Sequence, residues 1–484
     1  MRRRAICEKG RVAVVLLALA GGGEVWGAAP RVRFISHRGE SLDAPENTMA
    51  AFRLAVERKA DGFECDVYLT KDNKIICLHD KTAKRTGGLD VKPGDATLAE
   101  LRALDAGAWK DPKYTGERMP TLAEALTLAR DAFDIYVEVK CGVDIVPRMA
   151  EVLAKEPRAT PERVVFISFN TNVVATLRRL LPDYRAYWVT STKRNADGSV
   201  TPTAAAAIAI AKACGASGID AQATDVVDAA YVREVKAAGL SFHVWTVNSA
   251  RQASALAAMG VDTITSDCAA ALAALQKPRP KGAPVIRWTF DGTPANRGSG
   301  GPFFDASLSG APAYTEGVAG QALVLDGSNG VARVPYPLPE CGTVALWYRP
   351  DAFYNFNTVL DNSRNADQWE MWIAQDGRLR FRMGKAAGEV SCDLNALGGP
   401  GRWYHLALAW DSLKAKEATL YVNGEARASG AITNWVALGG TFCVGGGYTG
   451  NNKGRGAADD VRVYEEPLTA VQVRALVESR GVER

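Results

Sequence analysis

The sequence predicts two folded halves of different class: an α/β barrel over residues 31–273 and an all-β sandwich over 285–484. Three observations carry this. From 31 to 270, strand-like apolar runs alternate with helical patterns, the order that builds a parallel sheet from βα units. At 276–284 a Pro- and Lys-rich piece, QKPRPKGAP, has the composition of a linker, set here at 274–284. Beyond it the helical patterns nearly vanish, and short alternating runs separated by Gly, Asn and Asp read as an antiparallel sandwich.

Taken in order, the chain opens on Arg2, Arg3, Arg4, Lys9 and Arg11 ahead of an apolar run, VAVVLLALA (12–20), then small residues at Gly27, Ala28 and Ala29. This is the layout of a secretory signal peptide over 1–27. The run is too short to span a bilayer, so the expectation is a secreted or periplasmic protein with no transmembrane segment after cleavage. Candidate strands follow at 33–37, 62–68, 135–140, 164–168, 185–190, 218–221, 241–247 and 263–266, and eight such strands fit a TIM barrel. A further run, 75–79, lies too close to the second strand for a parallel crossover. Residues 62–80 are therefore a predicted hairpin turning at Lys71, Asp72 and Asn73, with Asp66 roughly opposite His79. The helix after strand one is expected from about Asn47, burying Phe52, Ala55 and Val56. Between His79 and strand three there is room for two helices, near 97–105 and 121–132. TAAAAIAIAKA (203–213) reads as an alanine-rich helix, and VNGE as a hairpin turning at Asn423 and Gly424.

Composition narrows the function classes. With 47% hydrophobic and 23% charged residues the chain is ordinary for a globular protein. Of the net charge of +4, the leader contributes +3, leaving 53 basic and 52 acidic residues. Bulk charge thus gives no sign of nucleic-acid or membrane-surface binding. Eight cysteines remain beyond Cys7. Cys65 and Cys77 sit mid-strand as small apolar residues, while Cys392 and Cys443 are a candidate pair. The chain has no Cys/His cluster with zinc spacing.

The chemistry concentrates at 35–80, which holds two of the four histidines, His37 and His79. Between them Glu64 and Asp66 are spaced i, i+2 on a strand, so they share one face while Phe63, Cys65 and Val67 take the apolar one. Two carboxylates on one side of a buried strand repel unless a cation lies between them. On strand three, IYVEVK (135–140), Tyr136, Glu138 and Lys140 face inward, and Glu138 supplies a third carboxylate on the barrel axis. Three carboxylates suit a hard divalent cation, Ca²⁺ or Mg²⁺. Arg38 and Lys140 can clamp phosphate oxygens, and imidazoles near neutral pKa can serve as acid and base.

HRG at 37–39, PENT at 45–48, the E-x-D pair at 64–66 and HD at 79–80, in that order, resemble the glycerophosphodiester phosphodiesterase family over about residues 31–270. The resemblance implies a TIM barrel and a metal on Glu64, Asp66 and Glu138. It assigns proton transfer to His37 and His79, without saying which is acid and which base. It further implies release of glycerol 3-phosphate and an alcohol from a glycerophosphodiester, either by water directly or through a cyclic phosphate. GTVALWYRP (342–350), RWYHLALAWD (402–411), ATLYVNGEA (418–426) and DDVRVYEEPLT (459–469) resemble the laminin-G-like, concanavalin-like jelly roll, whose ligand can be a carbohydrate or a cell surface.

Other residues have two readings. SFHVWTVN (241–248) resembles the family's penultimate barrel strand; there Trp245 is expected to line the substrate pocket and His243 to lie lower in the core. His405 reads as structural. Glu46 and Asn47 either orient the ligands or cap a helix. Asp267 reads as a rim or structural residue, and Asp326, Asp459 and Asp460 as a candidate calcium site. Alternative functions are a lysophospholipid or wall-polymer phosphodiesterase, and a non-enzymatic carbohydrate-binding surface protein.

Overall fold

The computed structural model describes residues 31–328, 330–362, 369–383, 389–432, 441–447 and 454–479. The expected leader, 1–27, lies outside them. Among the described residues no helix is long and apolar enough to cross a membrane.

The first half is a closed parallel barrel. Its strands are β1 (Arg33–Ser36), β2 (Gly62–Leu69), β4 (Asp134–Val139), β5 (Val164–Ser168), β6 (Arg185–Thr190), β7 (Gly218–Gln222), β8 (Ser241–Trp245) and β9 (Thr263–Ser266), with β3 (Ile75–Cys77) antiparallel on β2. Pairing runs β1-β9-β8-β7-β6-β5-β4-β2, and β1 pairs with β2 to close the ring. Outward side chains such as Phe34, Phe63, Cys65, Val67, Ile135, Val137 and Val139 pack under the helices, while Ile35, Tyr136, Val165, Ile167, Tyr187 and Val189 fill the barrel. Closure demands a glycine at one point: a Cβ at Gly62 would lie 2.2 Å from the Asp134 carbonyl oxygen.

All eight barrel strands lie within two residues of expectation. The β2–β3 register pairs Val67 with Cys77, and the Leu78 N–H donates to the Asp66 carbonyl. Asp66 therefore lies opposite Leu78, one residue short of the predicted His79. Helix α1 (Met49–Glu57) starts two residues later than expected, because Thr48 supplies the capping oxygen to the Ala51 N–H. Ala51 is buried beside Phe52 and Ala55, and Val56 is only half-buried. The two helices before strand three are shorter than predicted, Leu98–Arg102 and Leu122–Leu126, each opened by a Thr/Glu capping box.

The second half is two facing antiparallel sheets. One orders strands 314–316, 321–326, 455–464, 341–350, 404–411, 417–422 and 425–431; the other orders 307–308, 332–335, 441–444, 357–361, 369–373, 378–383 and 390–393. Trp288, Trp369 and Trp410 are fully buried in this half, with Trp369 edge-on to Trp410 and Phe381. Asn423 and Gly424 form the expected hairpin turn, both at positive φ.

Two expectations fail here. Cys392 and Cys443 are free thiols: their strands, 390–393 and 441–444, are separated by three others in the same sheet, far beyond disulfide reach. Asp326, Asp459 and Asp460 do not converge as a calcium site. Asp460 is held by Arg287 and Arg462, Asp459 accepts the Val318 and Ala319 N–H groups, and Asp326 lies opposite Arg455 in the register.

Candidate active site

Parallel strands in register bring their C-terminal ends to one mouth. Ser36 on β1 aligns with Ser266 on β9, so the next residues, His37 and Asp267, are neighbours; Asp66 on β2 aligns with Glu138 on β4. A cavity of about 150 Å³ opens there, lined by His37, Arg38, Glu64, His79, Glu138, Lys140, Ile167, Phe169, Val189, Asp220, Trp245 and Thr265.

Glu64, Asp66 and Glu138 each present a carboxylate oxygen within 4.8 Å of the others, and among the described residues no other His, Cys, Asp or Glu group does so. Glu64 Oε1 and Asp66 Oδ1 are buried and find no hydrogen-bond partner among the described residues. Burial, then the charges of Asp66 and Glu138, push Glu64 well above the ordinary carboxylate range. Burial and Asp66 push Glu138 up to about 7. Asp66 goes the other way: burial would raise it, but Arg38, Lys140 and His79 together hold it below its ordinary value. Lys140 Nζ donates to Glu138 Oε1 at 2.8 Å and stands 3.4 Å from Asp66 Oδ1. This donor set, three oxygens with two unsatisfied, fits a hard divalent cation.

The local backbone explains the motifs. Arg38 adopts φ 56°, and its N–H donates to Glu64 Oε2 at 2.8 Å. Gly39 follows at φ 80°, where a Cβ would fall 2.6 Å from Ala51. Asn47, also left-handed at φ 55°, donates from Nδ2 to Asp66 Oδ2 at 2.8 Å and accepts the Asp66 N–H at 3.0 Å. Of the two readings, Asn47 takes the ligand-orienting one and Thr48 the cap. Glu46 bridges Arg38 at 2.9 Å and Arg85 at 2.7 Å.

Both imidazoles are held at Nδ1 by a carboxylate. His37 Nδ1 lies 2.8 Å from Asp267 Oδ1, and His79 Nδ1 lies 2.8 Å from Asp80 Oδ1. Ser41 and Asn248 also donate to Asp267, and Arg85 clamps Asp80, holding its carboxyl far below the usual range. A carboxylate at Nδ1 keeps the proton there and leaves Nε2 for a ligand. Burial pulls His79 below its ordinary pKa, with Asp66 opposing.

Arg38, Lys140 and Trp245 all line the cavity, as do both histidines. His243 lies deeper, hydrogen-bonded to Thr263 and Ser241 and stacked on Tyr187 at 4.1 Å; burial drives it down to about 3. His405 is buried against Trp347 in the sandwich. Arg85 and Asp220 escaped the sequence reading, and Asp267, read as a rim or structural residue, has a more specific part. Asp267 holds His37, a contact the β1–β9 register could have revealed. Arg85 joins Asp80 to Glu46 across 39 residues, and no local signal marks it. Asp220, an inward acid in GIDAQ, is buried in the cavity wall, and burial, with Glu138 nearby, raises it to about 8.

Residues 37–271 match the model of the glycerophosphoryl diester phosphodiesterase family, and 327–474 that of the concanavalin A-like lectin/glucanases superfamily. A glycerophosphodiester phosphodiesterase of Bacillus subtilis is 30% identical over 235 residues, which cover 45% of this chain and 78% of that protein. Another from Caldanaerobacter subterraneus is 41% identical over 151 residues, covering 31% of this chain and 62% of that protein. A solved phosphodiesterase of Oleispira antarctica, in complex with the product sn-glycerol 3-phosphate, aligns with a TM-score of 0.45 at 28% identity, covering 51% of this chain and 96% of that one.

Proposed function

Because the chain belongs to the glycerophosphoryl diester phosphodiesterase family, a family of phosphoric diester hydrolases, we propose that it cleaves glycerophosphodiesters into glycerol 3-phosphate and an alcohol. The observation that carries this is the meeting, in one cavity, of three carboxylates with two imidazoles, each held at Nδ1 by its own acid.

Glu64, Asp66 and Glu138 would hold one divalent cation, Ca²⁺ or Mg²⁺, which when bound acts as a Lewis acid toward a phosphoryl oxygen. The chain's own groups do the rest. Arg38 and Lys140 clamp the anionic phosphate. One imidazole accepts the proton of the attacking oxygen as that oxygen bonds to phosphorus; water gives glycerol 3-phosphate directly, while a substrate hydroxyl gives a cyclic phosphate that water then opens. The phosphorus–oxygen bond to the alcohol breaks as the other imidazole protonates the departing oxygen. Burial lowers the His79 pKa and so favours the neutral imidazole, which can accept a proton at Nε2. Asn47 and Asp267 fix the orientations of Asp66 and His37. Trp245 supplies an apolar wall.

The basic, then apolar N-terminal segment supports export of this activity, and the match of 327–474 to a lectin-like superfamily supports a carbohydrate or cell-surface ligand for the sandwich. The test is direct: incubate the protein with glycerophosphocholine and follow its phosphorus signals. Glycerol 3-phosphate should accumulate; an unchanged diester would overturn the proposal.

A further inference from the structure

We propose that Asp220 selects the glycerol half of the substrate by pairing with its hydroxyl groups at the deep end of the active-site cavity; this rests on the phosphodiesterase reading above. The cavity has two unlike ends. One carries Arg38, Glu64, Glu138, Lys140 and the two histidines, and takes the phosphate. The other is walled by Ile167, Val189 and Trp245, with Asp220 and Thr265 beside them in the lining.

Asp220 is 2% exposed, and among the described residues its Oδ1 has no hydrogen-bond partner. Its neighbours in register cannot supply one. Val189 on β6 is apolar, and His243 on β8 has both ring nitrogens engaged, by Thr263 at 2.6 Å and Ser241 at 3.0 Å. Trp245 Nε1 donates to the Asp220 backbone carbonyl, at 3.2 Å, and not to its side chain. A buried polar atom left unpaired is costly, so one on a residue that lines a cavity calls for a partner from a bound molecule.

The chemistry of the ligand group follows. A second phosphate oxygen is repelled by a carboxylate. A quaternary ammonium has no N–H to give and needs a full negative charge, which this burial disfavours. A hydroxyl both donates and accepts, so it satisfies Asp220 in either protonation state. Thr265 on β9 and Asp220 on β7 flank Trp245 on β8, so a two-hydroxyl group lying on the indole meets a partner on each side. The other alcohol then leaves through the mouth past Phe169, which packs edge-on to Trp245 at 5.8 Å and is 46% exposed.

The test compares wild type, Asp220→Leu and Asp220→Asn, each with the cation present. Calorimetry measures binding of glycerol 3-phosphate, ethyl phosphate and phosphocholine, and thermal melting is followed in parallel. Wild type should bind glycerol 3-phosphate at least about tenfold more tightly than ethyl phosphate, the worth of roughly one hydrogen bond. Asp220→Leu should erase that preference, leave ethyl phosphate binding unchanged, and melt at a higher temperature because an unsatisfied buried acid is gone. Asp220→Asn should keep part of the preference. Equal weakening of both esters, selective loss of phosphocholine, or a lower melting temperature for Asp220→Leu would overturn the assignment. A wild-type protein that binds none of the three overturns the phosphodiesterase reading itself.

Discussion

His37 and His79 owe their geometry to Asp267 and Asp80, so each imidazole works as one half of a pair. His37→Ala or His79→Ala should lower kcat by about 10²–10⁴-fold, the usual share of acid–base catalysis, with the fold retained. Asp267→Asn leaves the ring in place but replaces its charged acceptor with a neutral amide, and should cost about 10–100-fold. Rates on glycerophosphocholine, with circular dichroism as a fold control, check both. The carboxylates give a pH signature. Burial and Asp66 push Glu138 up to about 7 from an ordinary 4.5. A carboxyl raised in the folded state favours folding below its unfolded pKa and loses that contribution as pH rises through its folded one. The EDTA-treated protein should therefore lose thermal stability between about pH 4.5 and pH 7. Adding Ca²⁺ or Mg²⁺ at pH 7.5 should restore it, and a flat melting profile across that window would count against the coupled carboxylates.

Among elements, the segment from β1 to α1 does the most. It turns through left-handed Arg38, Gly39 and Asn47, and each turn aims a group: the Arg38 N–H at Glu64, the Asn47 amide at Asp66. Asn47→Ala removes both bonds to Asp66 and leaves an alanine at φ 55°, a conformation that disfavours side chains with a Cβ. It should weaken divalent-cation binding by about 10–100-fold and also lower the melting temperature, as read by calorimetry. Much of this was legible in the sequence. Alternation fixed which face of β2 and β4 holds Glu64, Asp66 and Glu138, because strand periodicity is a local property. The β2–β3 hairpin was placed to within one residue, its register depending on turn geometry from Thr70 to Lys74. Arg85 and Asp267 were not assigned their contacts, because these are made across 39 and 230 residues, respectively. The Cys392–Cys443 pairing failed for the same reason: strand order in the second sheet is a tertiary fact that no local pattern carries.

At the scale of the whole molecule the sandwich is tied to loops at the barrel mouth. Ser249 Oγ donates to Glu340 Oε1 at 2.5 Å and Thr441 Oγ1 donates to Asp43 Oδ1 at 2.6 Å, while Arg279, in the linker, pairs with Glu465. Ser249 adjoins Asn248, a partner of Asp267, and Asp43 lies on the loop that carries Ser41, another partner of Asp267. Glu340→Ala or Thr441→Val should each destabilise the protein by about 1 kcal/mol, the net worth of one hydrogen bond, measured by denaturant unfolding. The most direct test of the central claim is the rate of glycerol 3-phosphate release from EDTA-treated protein as Ca²⁺ or Mg²⁺ is added back. The account predicts no turnover without cation and saturation at one ion per chain, with Glu138→Gln shifting that curve to higher concentration. Full turnover in EDTA, or a Glu138→Gln curve that overlays the wild type, would contradict it.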